Sequence, residues 1–513
     1  MSVMSVMSRD KISSLARLDH QHVWHPFTQM RDWLLTDPTV IVSGRGTVLR
    51  DAAGREYLDA NSSIWTNLHG HNHPKLNAAL RRQLGKIAHS SALGLANEPA
   101  SLLAGALVQV ANPPSSLRAA PGARPSSKAS GRPPFLGKVF FSDDGSTAME
   151  VAVKLAYEFT RRVWGLPKPG FLSLQGAYHG DTVGAASLGH IDLFHGAYRG
   201  LLFKSDRVMA PYCYRCPYNR AAPERRDARE YRRCQWECVN RVEQKFVSAR
   251  RRGRRYAAMI VEPLMQGAAG MIPQPPGWLG KVAEIVRGHG TLLIADEVMT
   301  GFGRTGWALA AAGRPDSMAG SLFACQQENV VPDFMTLAKG LTGGYLPMAA
   351  TLTTAAVFEA FLGRYDECKT FFHGHSYTAN QLGAATALAS LEILNGKNSV
   401  RQRGLLQTVL RDALPALWAL GSVGDIRQVG LAVGVELVKD WRTREPFDWR
   451  VRAGWRVCEA MARRGVLTRP IGNVVVLMPP YCTTAAQARR MVETLADAIA
   501  EVFPGRQGAR HRS

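Results

Sequence analysis

The sequence predicts an α/β protein whose main sheet is mostly parallel. Short apolar runs alternate with amphipathic helical stretches, as in KVFFSDDGSTAMEVAVKLAYEFT, AAMIVEP and TLLIADEV. Strands that alternate with helices are typical of a parallel sheet covered by helices on its faces. The 513 residues are enough for about two or three domains or lobes.

The expected organisation is a large central domain with a smaller α+β domain built from both ends of the chain. Residues 1–74 are expected to contribute to the small domain and the substrate site, residues 75–380 to form the large domain, and residues 381–513 to complete the small one. Segments that interrupt the core pattern are expected to be insertions, and the Pro- and Ser-rich one is expected to be disordered. These insertions lie near residues 111–134, 213–255 and 308–321.

The composition is that of a globular protein with an excess of positive charge. The formal net charge is +22, and residues 215–255 carry 14 basic and five acidic side chains, a local charge of +9. Basic runs of this kind are more often a solvated face than a binding site. A nucleic-acid-binding protein on an inactive fold is therefore only a remote alternative, and no partner of that kind is expected.

The sequence indicates no membrane segment and favours the cytoplasm. No apolar run reaches the roughly 18 residues that span a bilayer, and MSVMSVMSRDK lacks the apolar region of a signal peptide. The eight cysteines are irregularly spaced, which suits a reducing compartment better than a disulfide framework.

A carboxylate at the end of an apolar strand is the first candidate for chemistry. In LLIADEV the two-residue period of a strand places Asp296 and Val298 on one face and Glu297 on the other. Ligands bind at the carboxyl ends of strands in open α/β sheets. The alternative is that Asp296 only caps the following turn.

A lysine follows the next apolar stretch. In PDFMTLAKGLTGG, Lys339 comes 43 residues after Asp296 and precedes glycines that let the backbone approach closely. An amine in apolar surroundings loses its charge readily and becomes a nucleophile for carbonyl groups. A lysine that only reaches solvent from a strand end is the alternative.

Two further stretches add a phosphate cradle and an aromatic plate. SDDGSTAMEVAVKLA runs through Gly145 and Ser146 into a helix, and the first backbone N–H groups of a helix bind anions. In GAYHGDT, Tyr178 has a ring suited to stacking on a flat heterocycle. With the strand-end carboxylate and the late lysine, these features predict a pyridoxal phosphate site in which Lys339 forms the Schiff base and Asp296 keeps the pyridine nitrogen protonated.

The sequence resembles the class III pyridoxal phosphate aminotransferases of fold type I over residues 20 to 500. The resemblance rests on SDDGSTAMEVAVKLA, YHGDT, VEPLMQGAAGM, LLIADEVMTGFGRTG, LAKGLTGG and HGHSYTAN, which occur in this order. It implies a homodimer with the cofactor site at the interface and pyridoxal 5'-phosphate as cofactor. It also implies small-molecule substrates.

Within that family, three stretches resemble the members that make 7,8-diaminononanoate from 8-amino-7-oxononanoate in biotin synthesis. They are HVWHPFTQM, SSIWTNLHGHNHP and TRPIGNVVVLMPPY. The expected amino donor is S-adenosylmethionine or lysine. Another class III aminotransferase acting on an ω-amino acid or a diamine is the alternative.

The resemblance also implies roles for particular residues. Catalysis is expected of Lys339, Asp296 and Tyr178, and Gln266 is expected near the phenolic oxygen of the cofactor. A phosphate contact from His375 and Ser376 is expected to cross the dimer interface. The expected cofactor-binding residues are Gly145, Ser146, Tyr178, Gln266, Asp296, Val298, Lys339, His375 and Ser376.

The substrate site implied by the resemblance contains two departures from some family members. Ile64 stands where those members have a tryptophan, with Trp65 next to it, and Phe27 replaces the tyrosine common after WHP. Arg469 matches the arginine that pairs with the substrate carboxylate, and a guanidinium forms such pairs in a bidentate way. The expected substrate-binding residues are Phe27, Ile64, Trp65, Tyr178, Lys339, Gly374 and Arg469.

Four cysteines form a separate pattern outside the cofactor argument. Cys213, Cys216, Cys234 and Cys238 have the spacing C-x2-C-x17-C-x3-C. Four thiolates can hold a structural zinc tetrahedrally. The second pair is spaced by three residues and the segment is basic, so free thiols are the favoured expectation and zinc is the weaker one.

Overall fold

The computed structural model describes residues 9–112, 134–306 and 321–504. Most of the predicted insertions near residues 111–134 and 308–321 therefore lie outside the described residues. Within these ranges, no helix combines the length and the apolar character needed to cross a membrane.

The described helices are distributed along the whole chain. They are α1 (Arg9–His22), α2 (Met30–Trp33), α3 (Ser62–Trp65), α4 (Pro74–Leu84), α5 (Glu98–Ala111), α6 (Gly145–Trp164), α7 (Val183–Ala186), α8 (Asp192–His195), α9 (Ala228–Tyr231), α10 (Glu237–Arg251), α11 (Trp278–Gly288), α12 (Ala355–Glu359), α13 (Gln381–Asn395), α14 (Lys397–Ala413), α15 (Ala453–Arg463) and α16 (Ala485–Val502).

The described strands belong to one large sheet and three smaller ones. They are β1 (Ile41–Arg45), β2 (Val48–Asp51), β3 (Glu56–Asp59), β4 (Leu136–Ser142), β5 (Gly170–Leu174), β6 (Asp206–Val208), β7 (Tyr256–Val261), β8 (Met265–Gln266), β9 (Ile272–Pro273), β10 (Leu292–Asp296), β11 (Phe334–Leu337), β12 (Ala349–Thr354), β13 (Val423–Val429), β14 (Ala432–Asp440), β15 (Glu445–Pro446), β16 (Val466–Leu467), β17 (Pro470–Ile471) and β18 (Val474–Leu477).

The large sheet has seven strands in the order β4-β12-β11-β10-β7-β5-β6. Strand β12 is antiparallel to both β4 and β11, and the other strands share one direction. Strands β7 and β10 are buried along their whole length, as expected for a parallel sheet covered on both faces. The predicted mostly parallel sheet is confirmed.

The ends of the chain form the smaller α+β part. Strand β16 from the C-terminal region pairs in parallel with β3 in the sheet β1-β2-β3-β16. A second sheet, antiparallel throughout, has the order β13-β14-β18-β17, with β15 paired to β14. Pairing of β3 with β16 brings a strand of the N-terminal segment next to a strand of the C-terminal region, and the predicted domain boundaries stay predictions.

The basic segment at residues 213–255 is folded and contributes to the core. Helices α9 and α10 lie in it, and Val242 and Phe246 of α10 are buried in the main hydrophobic cluster. The segment is joined to the C-terminal sheet at Glu436 of β14, whose Oε2 also lies 2.6 Å from Arg427 Nη2 of the neighbouring strand β13. Arg215 binds the other oxygen of Glu436 from the basic segment, at 2.5 Å.

Candidate active site

The candidate site lies where four strands of the large sheet end. Asp296 is the last residue of β10, Glu262 follows β7 directly, and Lys339 comes two residues after β11. Strand β4 leads into α6, which begins at Gly145. All four residues line one cavity of about 450 Å³, because the carboxyl ends of parallel strands meet at one edge of a sheet.

Asp296 is buried and held by three donors. His179 Nδ1 lies 2.7 Å from its Oδ2, while the Val298 N–H and the Thr336 hydroxyl donate to its Oδ1 at 3.1 and 3.3 Å. Glu297 points away from the cavity, as the strand period predicts, and accepts from the Cys325 N–H at 2.8 Å. Asp296 is thus a fixed carboxylate in the wall of the cavity.

Lys339 presents its amine to the same cavity. Burial lowers the pKa of this amine, and the carboxylates of Asp296 and Glu262 act in the opposite direction. The Nζ atom lies 5.1 Å from the centre of the Trp65 ring. A lysine with a lowered pKa has a larger neutral fraction, and only the neutral amine attacks a carbonyl carbon.

Glu262 is a second buried carboxyl at this edge of the sheet. Its Oε2 accepts from the Gly267 N–H at 2.8 Å, and its Oε1 accepts from the Tyr178 N–H at 3.4 Å. Burial raises its pKa to about 7, the nearby Asp296 carboxylate adds to this, and His179 opposes it. Glu262 therefore anchors the turn that carries Tyr178.

At and beside the start of α6, glycine backbone lies very close to neighbouring side chains. A Cβ added to Gly145 would lie 2.8 Å from Val298 Cγ1, and one added to Gly180 would lie 2.2 Å from Ser146 Oγ. Glycine is therefore required at both positions. Asp144 caps the helix by accepting from the Thr147 N–H at 2.9 Å. The preceding N–H groups, those of Gly145 and Ser146, have no acceptor within the helix.

Aromatic side chains form part of the cavity wall. The Tyr178 hydroxyl donates to Asp181 Oδ2 at 2.6 Å, and burial, followed by this bond, raises the pKa of Tyr178. The Trp65 indole donates to Asn61 Oδ1 at 2.9 Å. Both rings line the same cavity as Lys339, so each contributes a flat aromatic surface to its wall.

Some predicted site residues lie outside the wall of this cavity. Phe27 is 64% exposed and packs its ring edge-on against Phe194 at 5.3 Å. Ile64 is also exposed. Arg469 is exposed, and within the described residues it has no hydrogen-bond or ion-pair partner. The roles of these three residues stay predictions.

The residues predicted to contact phosphate across an interface lie on one exposed loop. His375 Nδ1 lies 3.3 Å from Asp143 Oδ2, and Asp143 lines the cavity. The Ser376 carbonyl accepts from His89 Nε2 at 2.8 Å, and Gly374 is exposed. Their contact with a second copy stays a prediction.

Gln266 is buried in β8 beside the cavity. Its Nε2 donates to the Gln175 carbonyl at 3.2 Å. Its Oε1 is buried and has no partner among the described residues. An unpaired buried oxygen fits a group that completes its hydrogen bonding with a ligand.

Sequence reasoning missed His179 and Glu262. Both occur in stretches that resemble the family, YHGDT and VEPLMQGAAGM. Their importance depends on contacts across the fold, since His179 and Asp296 are separated by 117 positions. A polar residue directly after a buried strand, as Glu262 is after β7, was the available signal.

The four cysteines of the predicted metal pattern come together in the fold. Cys213, Cys216, Cys234 and Cys238 line one small cavity, and all are free thiols. Burial raises the pKa of Cys213 to about 12 and that of Cys238 to about 11. In the described part of the chain, no group of three or more His, Cys, Asp or Glu side chains is arranged to hold a metal ion.

A seven-stranded sheet of this kind, with a lysine and a carboxylate at its carboxyl edge, defines a transferase of the pyridoxal phosphate fold type I class. Residues 34–499 match the model of the family Aminotransferase class-III. The chain belongs to the class-III aminotransferase family.

The similarity to individual relatives covers nearly the whole chain. The adenosylmethionine-8-amino-7-oxononanoate aminotransferase of Geobacter sulfurreducens is 44% identical over 487 residues, covering 95% of this chain and 97% of that relative. The crystal structure of the enzyme of that name from Methanocaldococcus jannaschii matches with a TM-score of 0.81 at 37% identity, over 95% of this chain and 99% of that one. The ω-transaminase of Pseudomonas jessenii, solved in complex with PMP, also reaches 0.81, at 27% identity over 95% and 98%.

Class-III aminotransferases use pyridoxal phosphate, and the residues of the cavity fit this group. The start of α6 with Gly145 and Ser146 offers N–H donors and a hydroxyl to a phosphate. His179 fixes a carboxylate for a pyridinium nitrogen, and Tyr178 offers a flat ring. The Gln266 oxygen, which is buried without a partner among the described residues, also fits a bound ligand.

Proposed function

We propose that this protein transfers an amino group to 8-amino-7-oxononanoate and makes 7,8-diaminononanoate, a step of biotin synthesis, with pyridoxal 5'-phosphate as cofactor. The observation that carries the proposal is that the Lys339 amine and the Asp296 carboxylate line one cavity. The names of the relatives at 37–44% identity support the choice of substrate.

The side chains of the cavity would have different roles in the reaction. Pyridoxal phosphate, when bound, supplies an aldehyde that accepts amines and a ring that withdraws electrons. Lys339 would hold it covalently and move the proton at Nζ between the substrate carbon and the cofactor. Asp296 would pair with the ring nitrogen, because its carboxylate is fixed by His179 and forms no ion pair with a Lys or Arg side chain in the described part of the chain.

Other residues would bind the phosphate of the cofactor and contact the faces of its ring. Gly145 and Ser146 would bind phosphate at the start of α6. Tyr178 and Val298 would lie against the ring, and Gln266 would bind near its phenolic oxygen. Arg469 and Gly374 would belong to the substrate site, in which a guanidinium pairs with the substrate carboxylate.

The proposal includes a homodimer in the cytoplasm. Phe372, Tyr377 and Leu93 are exposed apolar side chains on and beside the loop that carries His375 and Ser376. An exposed apolar surface of this kind marks an interface, and the loop would then reach the phosphate of the partner's site. All eight cysteines are free thiols, which suits a reducing compartment.

The amino donor is proposed to be S-adenosylmethionine or lysine. Phe27 and Ile64 lack the tyrosine hydroxyl and the indole found in some family members, which would weaken polar contacts with an adenine and favour lysine. Trp65, which lines the cavity, is a ring that S-adenosylmethionine can contact through its sulfonium. Each donor is therefore tested separately.

The test uses the full chain loaded with pyridoxal phosphate. Each donor is mixed with the enzyme in a single turnover, the change in cofactor absorbance is followed, and 8-amino-7-oxononanoate is then added and the diamine product quantified. We expect one of the two donors to convert the cofactor and the keto substrate to restore it. If simple ω-amino acids or diamines react and 8-amino-7-oxononanoate does not, the protein is an ω-transaminase like that of Pseudomonas jessenii, which the structural match makes the second candidate.

A further inference from the structure

Four consecutive residues beside the cavity have a left-handed backbone. Ser62, Ser63, Ile64 and Trp65 have φ values of 45°, 48°, 69° and 68°. Residues with a Cβ visit this region as isolated positions, because the Cβ crowds the following carbonyl oxygen. A strained run persists only where its surroundings hold it, and such strain concentrates at functional sites.

The buried carboxylate of Asp59 accepts hydrogen bonds from this left-handed turn. Its Oδ1 accepts from the Asn61 N–H at 3.1 Å and the Ser63 N–H at 3.2 Å. Its Oδ2 accepts from the Ser63 hydroxyl at 3.2 Å. These donors lie within and next to the turn, so one carboxylate defines the path of the chain where it is most strained.

His71 and Asn67 extend the hydrogen-bond network of Asp59. His71 Nε2 lies 2.9 Å from Asp59 Oδ2, and its Nδ1 lies 2.9 Å from Asn67 Nδ2. Since the Asn67 amide donates to Nδ1, the proton on Nε2 is the one that His71 donates to Asp59. The Asn67 N–H donates to the Ser62 carbonyl at 3.0 Å, which ties the end of the turn to its start.

The turn carries Trp65 into the cavity. The indole Nε1 donates to Asn61 Oδ1 at 2.9 Å, and the ring centre lies 5.1 Å from Lys339 Nζ. The ring also lies against Gly267, where an added Cβ would be 3.3 Å from Trp65 Cζ3. The position of the indole over the reacting amine thus depends on the conformation of the turn.

We propose that Asp59 is a positioning residue that locks the Ser62–Trp65 turn in its left-handed form and so places Trp65 as the wall against which substrates bind. This inference rests on the proposed transaminase function, since it assigns the wall to the substrate side of Lys339. Asp59 itself does not line the cavity. Its loss is therefore expected to affect substrate binding more than the binding of the cofactor.

The main test is Asp59→Asn in the cofactor-loaded enzyme. The amide accepts at one oxygen only, so it cannot satisfy all four donors, and the turn loosens. We expect KM for donor and keto substrate to rise about tenfold with a smaller change in kcat, and cofactor absorbance to stay as in the wild type. Hydrogen exchange of the amides of residues 61–67 is expected to accelerate, a readout that needs no turnover.

A matched control is Asp51→Asn. Asp51 is a buried carboxylate at the end of β2 in the same sheet, where it accepts from the Arg55 N–H at 2.9 Å and the Tyr57 hydroxyl at 2.9 Å. Its partners belong to a different turn and none lines the cavity. We expect this variant to lower thermal stability while KM and the exchange of residues 61–67 stay unchanged.

A second substitution, Ser63→Gly, tests whether Asp59→Asn acts through the conformation of the turn and not through a general loss of stability. Because glycine adopts positive φ without a steric cost, adding Ser63→Gly to Asp59→Asn should restore part of the lost substrate affinity. Ser63→Ala alone, which removes only the hydroxyl contact, should act in the same direction as Asp59→Asn but more weakly, and it serves if that variant does not fold.

The outcomes separate this inference from the proposed function. Unchanged KM and unchanged exchange in Asp59→Asn, or an equal rise of KM in Asp51→Asn, would overturn the role of Asp59. Absence of turnover by the wild-type enzyme would contradict the proposed function instead. The exchange of residues 61–67 and its recovery in the double variant would still report on the turn.

Discussion

His179 Nδ1 lies 2.7 Å from Asp296 Oδ2, and both side chains are buried. The carboxylate accepts this bond, so the proton of the imidazole sits on Nδ1, and Nε2 is buried without a partner among the described residues. His179 follows β5 and Asp296 ends β10, so the contact joins two parts of the sheet edge. It orients the carboxylate that is proposed to pair with the ring nitrogen of the cofactor.

Asp296→Asn should keep the fold and weaken both cofactor binding and turnover. The amide keeps the shape of the side chain but removes the negative charge that would pair with a pyridinium nitrogen. We expect kcat to fall by about a hundredfold or more, with a higher Kd for pyridoxal phosphate measured by absorbance titration. Kinetics and Kd equal to those of the wild type would contradict the proposed role of Asp296.

Lys339→Ala should abolish transamination and leave a folded protein. The amine is the only group of the cavity proposed to hold the cofactor covalently, and burial of this amine disfavours its charged form, so the folded protein does not depend on it. We expect activity to fall by about a thousandfold or more, with a circular dichroism melting temperature at or above that of the wild type. Arg250→Ala, on the exposed end of α10, is a matched control that should retain full activity.

Arg427→Ala should be strongly destabilising. Arg427 is fully buried, and its guanidinium lies 2.6 Å from Glu436 and 3.1 Å from Asp425. Removing it leaves two buried carboxyls without their main counter-charge, which costs about 3–5 kcal/mol in comparable cases. Urea denaturation measures the loss, and Arg450→Ala, whose ion pair with Asp448 is exposed, should change the free energy of unfolding by less than about 1 kcal/mol.

The sequence allowed prediction of the parts of the site that follow from local patterns. Asp296 ends one buried strand, Lys339 comes two residues after another, and Gly145 opens the helix that follows β4, so the parallel arrangement of the strands is enough to bring them together. The His179–Asp296 bond and the burial of Glu262 depend on how separate elements pack, which no local pattern contains. The left-handed turn at Ser62–Trp65 was also not predictable, because it contains no glycine and is imposed by Asp59 and His71.

Glu262→Gln should change how stability depends on pH. The pKa of Glu262 is raised from an ordinary value of 4.5 to about 7, mainly by burial. Between these two values the folded protein holds a proton that the unfolded chain has lost, so the contribution of Glu262 to the free energy of unfolding falls as pH rises. This contribution is fully favourable below about pH 4.5 and is lost as pH passes through about 7.

Glutamine is neutral at every pH and removes this dependence. The free energy of unfolding of Glu262→Gln relative to wild type should therefore increase from pH 5 to pH 8, by an amount on the order of 3 kcal/mol at most. Other buried carboxyls with raised pKa values, Asp333 and Asp425, are present in both proteins and cancel in the difference. Urea denaturation of both proteins at several pH values measures it. A difference that is constant between pH 5 and pH 8 would show that Glu262 does not titrate in this range in the folded protein.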